Sequence, residues 1–194
     1  MTPIVVDDLL PTGYADDIEY DLVRTGFKWL YVKDVTNKNY GSNSGFVHPA
    51  YDYGKDPSDW FPYIKPLTYS LEEAQKEKIT ELYRIRVGFL LPTTEPDYKY
   101  NTPHVDFLWG HRTACYYVND SDGPTHIFKQ RLEEIGSDVN DVTLRNYTDR
   151  TNFEIMQSVE PKKNRVCIFD GFNFHASTKP KTHERRLVIT INYK

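Results

Sequence analysis

The chain has 194 residues, 39% hydrophobic and 27% charged, with a formal net charge of −4. That length accommodates a single domain with a sizeable core, since single domains run to ~200 residues. The acidic balance argues against a general nucleic-acid binder, which carries a basic excess.

The N-terminal stretch MTPIVVDDLLP has no basic n-region and no long apolar core, so no signal peptide is visible. No segment approaches the ~20 apolar residues of a membrane span, and the expectation is a cytoplasmic protein. Residues 11–24 predict a helix with Tyr14, Ile18 and Leu22 on one face. KWLYVKD at 28–34 predicts a short aromatic strand. Residues 37–66, rich in Gly, Pro, Asn and Ser, predict a long loop of the kind that carries function. A second helix is expected to start at Ser70, with Glu73 completing a capping box.

Beyond it, strands are predicted at 84–91, 113–118, 125–129, 141–146, 153–159, 165–170 and 186–193. NDSDGP at 119–124 reads as a turn. KKNR at 162–165 reads as a hairpin turn in which Asn164 tolerates a positive φ. Helices first and strands afterwards describe an α+β chain whose strands close into a sandwich or barrel. Fifteen Tyr, ten Phe and three Trp favour strands and aromatic-lined pockets. Cys115 and Cys167 lie inside apolar runs and read as small buried thiols.

The chemistry gathers around NTPHVDF. Residues two apart in an extended chain share a face, so His104 and Asp106 can converge on one point. With His175, just after FDG, they would make the two-His-one-carboxylate set that binds iron(II) and leaves coordination positions open. An H-x-D triplet alone is weak, and the bland alternative is a turn-capping imidazole beside a solvated acid. NDSDG fails as a calcium loop, because Gly123 would require an acid at 118 and a Glu at 129, where Val118 and Lys129 stand. His48, His111, His126 and His183 read as surface or loop histidines, although Trp109 and His111 follow the motif closely enough to touch a substrate.

Taken in order, HVDF … TACYYVNDSDGPT … VCIFDG … FH … RLVITINY resembles the iron(II)- and 2-oxoglutarate-dependent oxygenase superfamily. Within it the chain looks most like the prolyl-4-hydroxylase-like branch and short oxygenases encoded by bacteriophages. The resemblance implies a double-stranded β-helix, a cupin-like jelly roll, spanning 1–194 as one domain. Residues 84–194 would form its core, and 1–83 would supply helical and loop support packed on one sheet. It implies His104, Asp106 and His175 as catalytic metal ligands. Arg186 would open the last core strand and grip the distal carboxylate of 2-oxoglutarate, with Thr190 four residues on. Arg185, one residue out of phase and therefore on the opposite face, is the second choice. A guanidinium suits the task because its planar fork meets a carboxylate through two parallel hydrogen bonds. Tyr117 would donate to the same carboxylate, and Thr113 and Cys115 share its face.

The implied cofactors are iron(II), 2-oxoglutarate and O2, with ascorbate as an auxiliary reductant. The implied reaction couples decarboxylation to succinate with hydroxylation of a peptidyl or small-molecule C–H bond. Neither nucleic acid nor membrane is an expected partner, and a phage origin would place the protein in the host cytoplasm. The loop 37–66 and the polar insertion 130–152 would gate the substrate. Two other readings stand beside this one. One is a non-catalytic jelly-roll metal-binding module that holds zinc. The other is a purely structural chain in which His104 and His175 lie far apart.

Overall fold

The computed structural model describes residues 1–36, 43–95, 99–136 and 139–194. In chain order the described elements are β1 (Ile4–Val6), α1 (Thr12–Val23), β2 (Leu30–Val32), β3 (Gly45–Asp52), α2 (Phe61–Ile64), α3 (Leu67–Gln75), β4 (Leu82–Leu90), β5 (Arg112–Tyr117), β6 (Thr125–Arg131), α4 (Asp141–Arg150), β7 (Ile155–Val159), β8 (Arg165–Asp170), β9 (Asn173–Ser177) and β10 (Arg186–Tyr193). They assemble into a seven-stranded sheet, β1-β8-β5-β10-β4-β3-β2, and a three-stranded sheet, β7-β6-β9. Every pairing is antiparallel.

The period of two sorts the large sheet into its faces. On β10, Leu187, Ile189 and Ile191 pack outward with Ile85, Val87, Ala114 and Ile168 beneath Ile18 and Leu22 of α1 and Leu67 and Leu71 of α3. The alternate residues point inward, where Val188, Tyr117, Cys115, Cys167 and Phe169 meet Ile127 and Val159 of the small sheet. A third cluster, containing Phe128, Phe174, Val105 and Leu144, seats α4 on the small sheet's outer face. Burial on both faces explains why β10 reads as a nearly continuous apolar run, buried at seven of its eight positions. Two sheets facing each other over an interior, with helices outside, make the double-stranded β-helix.

Several expectations need correction. Residues 141–146 are not a strand but the first part of α4. Asn140 caps that helix by accepting from the Val142 and Thr143 amides, and Thr143 Oγ1 accepts from the Asn140 amide in return. This reciprocal cap outweighs the strand preference of Val and Thr. Nor does α3 begin at Ser70. It starts at Leu67 behind Pro66 with no side-chain cap, because Leu67 and Leu71, four apart, are both fully buried. The expected loop 37–66 contains β3 and α2; its residues 37–42 lie outside the described residues. Pro49 sits beside the register shift of β3 against β4, where a strand tolerates a residue that cannot donate.

Asn164 does adopt a positive φ, 65°. Its turn does not close a hairpin, however: β7 and β8 belong to different sheets, so the chain crosses from one layer to the other there. The segment 1–83 supplies more than helical and loop support, since β1, β2 and β3 extend the large sheet. Cys115 and Cys167 are both buried free thiols, as read. No helix among the described residues is long and apolar enough to cross a membrane.

Candidate metal centre and adjoining cavity

His104 precedes β5 in a segment that pairs with β9 as an isolated antiparallel bridge. The His104 amide donates to the His175 carbonyl at 3.0 Å, and the His175 amide returns the bond at 2.9 Å. Two strand-like segments are thereby locked with their imidazoles side by side, ring centroids 4.6 Å apart. Each ring fixes its tautomer on a carbonyl two residues back: His104 Nδ1 donates to Thr102 O at 3.0 Å and His175 Nδ1 to Asn173 O at 3.3 Å. Both Nε2 lone pairs stay available. They lie 4.0 Å (His104) and 3.8 Å (His175) from the two Asp106 oxygens. One ligand atom from each residue falls within 4.8 Å of the others. This geometry removes the structural reading in which the two histidines are remote.

Asp106 is anchored from the large sheet. Arg84 Nη2 donates to its Oδ1 at 2.5 Å and Asn192 Nδ2 to its Oδ2 at 2.8 Å. Asn192 in turn accepts from Arg84 Nε at 3.0 Å and donates to Thr113 Oγ1 at 3.0 Å. Burial pushes the Asp106 carboxyl up, but Arg84, the two imidazoles and Asn192 hold it well below the usual carboxylate range. Burial and the neighbouring His175 push His104 down to about 3, and burial lowers His175 as well. The cluster is thus two neutral imidazoles and one carboxylate, the protonation state that divalent metal ligands require. By donor chemistry and convergence, these residues fit an iron(II) ion.

The triad opens onto a cavity of ≈ 90 Å³ between the sheets. Its far part ends on Arg186, only 2% exposed. Arg186 Nε donates to Gly123 O at 2.7 Å and Nη2 to Thr125 Oγ1 at 2.8 Å. Tyr117 lies beneath the guanidinium, 5.7 Å from ring centroid to Cζ, and its hydroxyl donates to the same Thr125 oxygen at 2.8 Å. Thr190 and Cys115, cross-strand partners in register, form the wall between Arg186 and the triad. Burial raises the Cys115 thiol to about 12, so it stays protonated as a neutral wall group. A dicarboxylate spanning triad and Arg186 would meet a cation and the Thr125 hydroxyl at one end; Tyr117, expected to donate to it, spends its hydroxyl proton on Thr125 and does not line the cavity.

Of the other candidates, Arg185 does not reach the cavity. It leans on Glu19 of α1 at 3.6 Å and on Glu184 at 3.3 Å, on the opposite face as strand alternation requires. Thr113 lies beneath Asp106 through Asn192 rather than on the cavity wall. His48 is not a surface histidine; it is buried in β3 between Lys28 O and Ser58 Oγ, each at 2.9 Å. His111 is also buried, its Nδ1 donating to Trp109 O at 2.7 Å, whereas Trp109 is half exposed beside Phe107 and Tyr83. His126 sits in β6 against Ser158, and His183 is exposed beside Asp122. Sequence reasoning missed Arg84, Arg86, Asn192 and Thr125. For the arginines the signal was present, because RIR places Arg84 and Arg86 on one strand face.

No family model matches the chain, and no curated protein matches it by sequence. Solved structures do match its fold. The epimerase SnoN of nogalamycin biosynthesis, solved with Fe3+, α-ketoglutarate and nogalamycin RO, is 16% identical with a TM-score of 0.65 over 98% of this chain and 78% of its own. A prolyl-4-hydroxylase from Pseudomonas putida is 12% identical with a TM-score of 0.59, covering 99% of this chain and 92% of its own. A prolyl hydroxylase from Trichoplax adhaerens, in complex with a hypoxia-inducible-factor peptide fragment, is 14% identical with a TM-score of 0.58 over 98% and 82%.

Proposed function

We propose that the protein is an iron(II)- and 2-oxoglutarate-dependent dioxygenase that hydroxylates a C–H bond of a small molecule or peptidyl residue. One observation carries this reading: two neutral imidazoles and a carboxylate converge at one end of an inter-sheet cavity whose other end is a buried arginine. The fold neighbours support it, since SnoN was solved with iron and α-ketoglutarate and the Pseudomonas putida neighbour is a prolyl-4-hydroxylase. The prolyl-4-hydroxylase-like branch is the finer assignment we favour, with a phage-type short chain as its setting.

In this reading His104 Nε2, His175 Nε2 and an Asp106 oxygen hold the iron. Arg186 takes the distal carboxylate of 2-oxoglutarate, Thr125 presents its hydroxyl beside it with Tyr117 bracing that hydroxyl from behind, and Thr190 and Cys115 orient the carbon chain. Iron(II) with 2-oxoglutarate and O2 supplies oxidative decarboxylation to succinate and CO2, coupled to insertion of one oxygen atom into the substrate. Arg84 and Asn192 aim the carboxylate and keep it ionised. The apolar interior formed by Val188, Cys167 and Phe169 excludes bulk water from the chamber.

The test is spectroscopic. Anaerobic addition of iron(II) and 2-oxoglutarate should give the visible charge-transfer band of the chelate, and admission of oxygen should release succinate slowly even without substrate. A wild-type protein that shows neither, yet binds zinc tightly, is the metal-binding module instead.

A further inference from the structure

We propose that Arg86 is the receptor for a carboxylate on the substrate, so that the protein acts on a carboxylic acid; this rests on the oxygenase reading above. Arg86 lines the cavity from β4, in register with Thr190 of β10 on one side and Pro49 of β3 on the other. Its one hydrogen bond among the described residues goes from Nη2 to the neutral carbonyl of Val35 at 2.8 Å. The acids whose charge it feels are Asp106, Asp34 and Asp52, yet it makes no ion pair among the described residues. Asp106 is already engaged by Arg84. Burial and the neighbouring Arg84 lower the guanidinium to about 10, which still leaves it charged at neutral pH.

Among the described residues the acid that lines the chamber beside Arg86 is Asp106, and Arg84 already engages it. Iron(II) and doubly charged 2-oxoglutarate cancel each other, so loading the site supplies no anion for Arg86. A cation in a low-dielectric chamber is costly until an anion matches it. Arg86 faces Thr190 whereas Arg186 faces Leu90, so the two arginines stand four residues apart along the β4–β10 pair and do not grip the same carboxylate. Beside Arg86 the cavity wall carries aliphatic side chains, Val35, to whose carbonyl it bonds, and Val47, in register with Gly88 two residues along β4. That combination suits an oxyanion on a carbon chain, and the planar fork favours a carboxylate.

The experiment uses the full chain loaded anaerobically with manganese(II) and 2-oxoglutarate, and reads binding by calorimetry. The probes are hexanoate against hexanamide, N-acetylated peptide amides with a central glutamate against glutamine, and hexyl phosphate. Wild type should bind an acid roughly tenfold to a hundredfold better than its amide, the worth of a charge-assisted pair. Arg86→Met should erase that ratio, with Arg86→Lys intermediate, while the anaerobic iron(II)–2-oxoglutarate band persists in both. Preference for hexanoate identifies a free acid as the source, and preference for the glutamate peptide a protein side chain.

No acid-over-amide preference in any pair overturns the proposal, as does tight binding of hexyl phosphate alone. Loss of the 2-oxoglutarate band in Arg86→Met, with retention in Arg186→Met, makes Arg86 the co-substrate anchor and also overturns it. So does a lowered melting temperature with an unchanged acid–amide ratio, which marks Arg86 as a strut for Val35. Absence of the band in wild type sinks the oxygenase reading, whereas the acid–amide ratio reports on Arg86 alone.

Discussion

On the proposed function, Arg186 is a cation held ready for a carboxylate. Its guanidinium is buried, aimed by Gly123 O and Thr125 Oγ1, and backed by the Tyr117 ring. Those partners are neutral acceptors, so the charge is oriented without being neutralised by them. Arg186→Met should therefore raise the dissociation constant for 2-oxoglutarate by roughly one to two orders of magnitude, the range of a hydrogen bond to a charged group. Metal affinity should be unchanged, since the triad is held by other residues. Tyr117→Phe removes one hydroxyl that shares Thr125 and should cost only about tenfold or less. Calorimetric titration of 2-oxoglutarate into manganese-loaded protein separates the two.

At this scale His104 and Asp106 are legible as a pair because residues two apart in an extended chain share a face, whereas Arg186 is named through the family resemblance and not by spacing. Arg84 and Asn192 are not legible, since their meeting with Asp106 joins positions 22 and 86 residues apart in the chain.

Turns and strand pairings carry those side chains to their places, and at Gly123 one turn presses on another. A Cβ there would clash with Thr178 O and stand 3.0 Å from Pro180 N, both backbone atoms of the connection between β9 and β10. Nothing in that contact can rotate away. Gly123→Ala should force the two connections apart at a cost of about 1–3 kcal/mol in stability. It should also displace the carbonyl that orients Arg186, weakening 2-oxoglutarate binding while sparing the metal. Denaturant unfolding with parallel metal and 2-oxoglutarate titrations checks this; equal losses for both ligands would mean general loosening instead.

Elements of this kind are the part of the fold that sequence patterning reads unevenly. The strands β8 and β10 announce themselves through apolar runs. By contrast β9 holds Asn173 and His175 buried in its short span, and β3 contains Gly45 and Pro49, so composition disguises both as loop. In α4 the reciprocal cap of Asn140 and Thr143 overrides strand-forming residues, a signal present in the sequence as Asn-Asp-Val-Thr but outweighed there by the apparent alternation.

For the whole molecule, the histidines buried between the sheets tie stability to pH. His104 is lowered to about 3 from an unfolded value of 6.5, and His175 and His111 are lowered in the same direction by burial. Below pH 6.5 the unfolded chain therefore takes up protons that the metal-free folded chain refuses. The contribution of His104 is complete above that value and falls as the pH drops toward 3, by up to about 1.4 kcal/mol per pH unit. His175 and His111 add losses of the same sign. Depressed carboxyls such as Asp7, at about 2, add a loss of the same sign only in stronger acid.

The same neutrality shapes metal binding. An ordinary histidine site loses affinity below about pH 6.5 because protons compete for its nitrogens. Here burial lowers both imidazoles below their ordinary value, so manganese(II) affinity of the native protein should begin to fall at a lower pH than that of an ordinary histidine site. Denaturant unfolding of metal-free protein from neutral pH downward, paired with metal titration of the folded protein, measures both effects. A stability curve that stays level while metal affinity falls steeply would mean that the folded imidazoles titrate like free ones, and that the sheets do not close over the site as the fold implies.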